Sequence, residues 1–189
     1  MRAFNSLLRL ASSCVTRFTR DRRAVSAVEF ALILPLMVLL YSGCVDLTQG
    51  ISIDRKVTIT ARTVADLVAQ VQKTTSTDVN NALGAAAQIM EPYPVAGVTV
   101  SLVKIDKTGK ATIVWSKSRY GGPPHKQHDV VTVDSALKTP NNETYLVWGE
   151  ATFSYSPIVG IIFKNTLGLS DQIFMSPRVS ASVECANCT

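Results

Sequence analysis

The chain has 189 residues, 47% of them hydrophobic, and a formal net charge of +5. Arg2, Arg9, Arg17, Arg20, Arg22 and Arg23 face only Asp21 at the N-terminal end, whereas residues 46–189 hold thirteen Lys or Arg against twelve Asp or Glu. The basic surplus therefore belongs to a leader, and the near-neutral remainder lacks the electrostatic footprint of a nucleic-acid partner. The length leaves room for one domain of ordinary size and an additional element.

Residues 1–24 read as a basic cytoplasmic leader. From Ala24 to Val45 the only charge is Glu29, and at about 1.5 Å per residue such a helix crosses a bilayer core. The transmembrane helix is set at 25–45. Arginines precede it, while Asp46 and Asp54 balance Arg55 and Lys56 just after it. The positive-inside rule then predicts a cytoplasmic N-terminus and an outer domain over 46–189, periplasmic in a Gram-negative cell. Pro35 predicts a kink within the span.

Past the membrane the pattern becomes one-sided. Val57, Ala61, Val64, Ala65, Val68 and Val71 recur at intervals of three and four, with Arg55, Arg62, Asp66 and Lys73 on the other side. This predicts an amphipathic helix over 46–72 that continues from the span. In "KTTSTDVNNALGAAAQIMEPYP", Asp78 is the expected N-cap of a second helix over about 79–90, closed by Pro92 and Pro94.

Residues 95–189 read mainly as strands. Val98, Val100 and Leu102 alternate with polar residues, as do Ile113 and Trp115, and "DKTGK" between them predicts an antiparallel hairpin. "GGPPHKQHD" is a loop. "DVVTV" and "ETYLVWGEATFSY" follow as strands, the second bent at Gly149. "SPIVGIIFKNTLG" is apolar but interrupted, and "QIFMSPRVSASVEC" reads as a last strand broken at Pro177. The fold class is α+β: a long N-terminal transmembrane and amphipathic helix packed on an antiparallel sheet of about four to six strands.

Catalytic signals are weak. His125, His128 and Asp129 are close in sequence but follow two glycines and two prolines, so a solvated loop is expected rather than a metal-binding helix face. Neither a Gly-x-Ser-x-Gly elbow nor a phosphate-cradling Gly-rich loop occurs. "CANC", Cys185 to Cys188, has the spacing of thiol oxidoreductases, but such a site needs a helix N-terminus to lower a thiol pKa. A small disulfide between Cys185 and Cys188 is expected instead, with Cys14 in the leader and Cys44 near the outer end of the span. Trp115 and Trp148 are expected in the core. The reading is non-enzymatic, with no catalytic residue, cofactor or metal.

A carboxylate inside a membrane span costs a few kcal/mol and signals a function and a partner. Glu29 either has such a partner or snorkels to the cytoplasmic headgroups.

The run "A-V-S-A-V-E-F-A-L-I-L-P-L", with arginines immediately before it, resembles the N-terminal signature of TadE-like minor pseudopilins of tight-adherence (Flp-type) pilus systems. "GEATFSYSPIVG" and "FMSPRVSASV" resemble a strand, Tyr, Pro and terminal strand of the same group, so about a third of the chain carries the likeness. The resemblance implies a pilin-like subunit of the bacterial inner membrane that acts in pilus assembly or secretion. Its implied partners are a prepilin peptidase, other pilin or pseudopilin subunits, pilus-assembly proteins and the bilayer.

It also implies a cut between Ala24 and Val25, where Ala24 stands in place of the usual Gly. Glu29 and Phe30 then become the fifth and sixth residues of the mature chain, and with Pro35 they are the implied assembly residues. The freed amine of Val25 would lie one helical turn from Glu29, whose carboxylate could neutralise it in the same or a neighbouring subunit and so fix the register of packed helices. Two alternatives stand beside this. "LYSGC" resembles a lipobox ending at Cys44, and an uncleaved span would make the chain a signal-anchored periplasmic binding module.

Overall fold

The computed structural model describes residues 22–138, 142–161 and 164–188, with side chains from Val25 onward. The leader up to Asp21, including Cys14, lies outside the described residues. Two units are present. One holds the chain up to Leu47 together with Ile158–Lys164, and the other holds Thr48–Pro157 with Asn165–Thr189.

Helix α1, Arg22–Ala69, draws residues from both units and continues through Pro35. Then come β1 (Lys73–Thr75), α2 (Ser76–Met90), β2 (Gly97–Ile105), β3 (Ala111–Arg119), β4 (Val130–Val131), a 3-10 turn at Ser135–Leu137, β5 (Thr144–Tyr155), β6 (Leu167–Met175) and β7 (Glu184–Ala186). The main sheet has the order β4-β3-β2-β5-β6, with every neighbouring pair antiparallel. A separate two-stranded ribbon pairs β1 with β7 in parallel. The protein is α+β, with a long apolar N-terminal helix and an antiparallel sheet.

In the larger unit the stripe at intervals of three and four finds its cover. Val57, Ala61, Val64, Ala65 and Val68 are buried with Val98, Val100 and Leu102 of β2 and with Val79, Leu83 and Ala86 of α2. Gly149 explains how α1 comes so close: a Cβ there would stand 2.6 Å from the Ala61 carbonyl oxygen and 2.8 Å from the Ala65 Cβ. The glycine expected to bend β5 is the seat of the helix, because only a bare Cα admits a backbone at that distance.

Central strand β2 is buried on both faces. The face turned away from α1 carries a smaller cluster that includes Val103, Ile105, Ile113, Leu146 and Trp148. Ile113 and Trp115, expected on one face, are split: Leu102 pairs with Trp115 and Val103 with Ile113, so Val114 is an extra residue in β3. Such a bulge shifts the alternation by one and sends the two side chains to opposite sides. Both tryptophans are buried, Trp115 against α1's side and Trp148 on the other.

Several local expectations are corrected. The N-cap of α2 is Thr75, whose hydroxyl accepts from the Asp78 N–H at 3.2 Å, while Asp78 accepts from the Thr75 N–H at 3.1 Å. This is a capping box, and Asp78 serves it from the third helical position. Helix α1 closes at Ala69, short of residue 72, and Val71 is exposed beyond it. The Ala69 carbonyl accepts from the Arg178 N–H at 2.9 Å and the Gln72 carbonyl from the Glu184 N–H at 3.1 Å, so the chain leaves the helix to meet this segment. The last segment does break around Pro177, as expected, and the two pieces are the separate strands β6 and β7. "DVVTV" supplies only the two residues of β4.

Candidate functional site

In the smaller unit, α1 presents Leu32, Ile33, Leu34, Leu36, Met37, Val38, Leu39 and Leu40 to the outside, all exposed. Consecutive helical residues point about 100° apart, so a run of this kind is apolar around the whole circumference. Its length and composition mark α1 as a candidate membrane span. Burial of one such side chain contributes about 1.5–3 kcal/mol, and twelve large apolar side chains are exposed between Val25 and Tyr41. Their sum far outweighs the roughly 2.5–3.5 kcal/mol charged to an acidic residue even at a span's centre.

Val25, Glu29, Phe30 and Pro35 all lie on this stretch and are exposed. Glu29 follows Val25 by one helical turn, on the same side of the helix. Ala24 is helical in its backbone. The sequence-predicted processing and assembly residues thus sit on one continuous element. Cys185 and Cys188 belong to the larger unit, where they form a disulfide with a Cα separation of 5.6 Å; Cys185 lies opposite Thr74 in the ribbon, and Cys188 is buried.

One residue that sequence reasoning counted only as a charge has a specific position. Asp46, on α1, is 1% exposed, and its carboxylate accepts the backbone N–H groups of Val159 at 3.0 Å and Gly160 at 3.1 Å. Gly160 has φ of +60°, a conformation that suits glycine. A carboxylate taking two N–H donors from adjacent residues is a charge-assisted clamp. An Asp just past an apolar run, and a distant "PIVG", were the signals; nothing in the sequence links them.

The other side-chain cluster lies on the sheet face turned away from α1. His125, expected in a solvated loop, is half-buried: its Nε2 is 2.5 Å from Glu150 Oε2, and its ring stacks on Trp148 at 4.7 Å. Trp148 stacks in turn on Phe174 at 5.4 Å, and its Nε1 donates to Gln172 at 3.2 Å. Burial pushes the Glu150 carboxyl above the ordinary range, and the hydrogen bond and charge of His125 oppose that shift. His128 and Asp129 stay exposed. A cavity of about 480 Å³ opens beside the stack, lined by Ile113, His125, Asp129, Trp148 and Gln172 among others. Among the described residues no three His, Cys, Asp or Glu side chains converge on a metal site.

Residues 24–66 match the family model of TadE-like proteins. Neither a curated protein nor a solved structure matches the chain.

Proposed function

We propose that the chain is a non-enzymatic, minor pseudopilin-like subunit that acts in tight-adherence (Flp) pilus assembly or secretion. It is anchored in the bacterial inner membrane by residues 25–45, with the N-terminus cytoplasmic and the sheet-bearing unit in the periplasm. The observation that carries this reading is a coincidence of position. The stretch of α1 left apolar on all sides falls within the residues that match TadE-like proteins.

In this reading a prepilin peptidase cuts between Ala24 and Val25. The new α-ammonium lies one turn from Glu29, near membrane depth, where a facing charge removes most of the cost of a lone carboxylate. Pairing with a neighbour's amine sets the axial register of packed helices, a use in which a charge pair contributes specificity more than stability. Phe30 and Pro35 shape the same packing surface. Other pilin or pseudopilin subunits and pilus-assembly proteins are the partners.

The mass of the membrane-extracted protein tests the first step. A chain beginning at Val25 is expected. A chain beginning at Met1 reduces the helix to a signal anchor, and one beginning at a lipid-modified Cys44 makes the protein a lipoprotein. Glu29→Gln tests the second step: it should leave insertion intact and abolish co-purification with pilus-assembly proteins, whereas unchanged assembly would mean that Glu29 snorkels alone.

A further inference from the structure

We infer that the loop Ile158–Ile161 is a second membrane-contact element, one that rests its apolar side chains in the headgroup boundary of the leaflet where α1 leaves the hydrocarbon. The inference depends on α1 spanning the bilayer, as proposed above.

Three observations carry it. The first is exposure: Ile158 is 70% exposed, Ile161 48% and Val159 40%, a concentration of bare β-branched side chains on a turn only a few residues long. Such a patch is costly in water unless something apolar covers it. The second is attachment. The loop belongs to the same unit as the apolar half of α1, and the Asp46 carboxylate holds the N–H groups of both Val159 and Gly160.

The third is depth. From Val25 to Asp46 the helix rises about 30 Å at about 1.5 Å per residue, and a hydrocarbon core is also about 30 Å thick. When Val25 lies at the near boundary, Asp46 lies at the far one, and so does the loop bonded to it. Irregular backbone is not tolerated in the hydrocarbon itself, so the boundary is the depth that suits a turn with apolar tips. Two of its N–H groups are already satisfied by Asp46. Lys164, exposed in the same unit, supplies a cation of the kind that reaches to headgroup phosphates.

The occupant of the patch is therefore lipid. The test uses the full chain with Cys14→Ser and Cys44→Ser, reconstituted in phosphatidylcholine–phosphatidylglycerol vesicles at no more than one copy per vesicle, so that no second copy can cover the loop. A nitroxide is placed in turn at Ile158→Cys, Ile161→Cys, Leu36→Cys on the span and Thr77→Cys on α2. Collision with oxygen, which concentrates in lipid, is compared with collision with a neutral nickel chelate, which stays in water.

Labels at 158, 161 and 36 should favour oxygen, and the label at 77 should favour nickel. A span label that favours oxygen with loop labels that favour nickel overturns this inference and leaves the anchor reading standing. Were the label at 36 to favour nickel, both would fall. Asp46→Ala should release the loop, cutting the oxygen preference at 161 several-fold and sharpening its spectrum. An unchanged spectrum would show that Asp46 does not hold the loop.

Discussion

Helix α1 is one secondary structure with two kinds of surface. Between Val25 and Tyr41 every side chain is exposed, although almost all are apolar; between Ile53 and Ala69 the apolar positions at intervals of three and four are buried, and Arg62 and Leu67 between them are not. Both stretches satisfy the same backbone hydrogen bonds, so the helix itself does not distinguish them. The difference lies in periodicity. A stripe calls for a protein partner, which the sheet and α2 provide, and an all-round apolar surface calls for a medium.

That contrast can be broken at its buried side first. Leu83→Ala removes a fully buried side chain from the cluster under α1 and should cost about 3 kcal/mol in denaturant unfolding followed by circular dichroism. Leu36→Ala, an equal truncation on the exposed stretch, should leave the unfolding of the larger unit unchanged. Equal losses would erase the distinction. Gly149→Ala should cost about 2 kcal/mol by forcing α1 off the sheet, because its new Cβ meets the backbone at Ala61. A neutral result would mean that the helix is free to shift.

The smallest effect is a pH dependence, and it sharpens the contrast by testing the larger unit's second sheet face. Because the Glu150 carboxyl is raised above its ordinary 4.5 in the folded state, its contribution is fully present below that value and is lost as pH rises through the raised one. Glu150→Gln should flatten the dependence of stability on pH in that window by a fraction of about 1 kcal/mol, given the opposing pull of His125. Parallel pH profiles for the two proteins would rule the assignment out.

The helical stripe, the second helix, the β2–β3 hairpin and the antiparallel α+β class were readable because each rests on local periodicity. The 106–110 turn was readable too, and Asp106 Oδ1 there accepts from the Thr108 and Lys110 N–H groups at 2.8 and 2.9 Å. What escaped depends on residues far apart in the chain. Gly149 looks like a strand weakness until Ala61 is set against it. The bulge at Val114 is set by pairing with β2, and the Asp46 clamp joins residues that no local pattern connects. His125 was placed in a loop correctly, but its draw onto the sheet needed Trp148 and Glu150 from β5.

The β1–β7 ribbon has a consequence for how the larger unit comes together. Lys73 lies opposite Glu184, Trp115 Nε1 donates to the Val183 carbonyl at 3.0 Å, and Arg178 binds Asp66. A ribosome delivers α1 and β1 long before it delivers residues 178–186. The nascent polypeptide must therefore wait, half-assembled, with Val183 and Cys188 still missing from its core, and β7 acts as a latch. Synthesis order thus keeps this unit open until β7 has emerged, dependent on whatever shelters it in the interval.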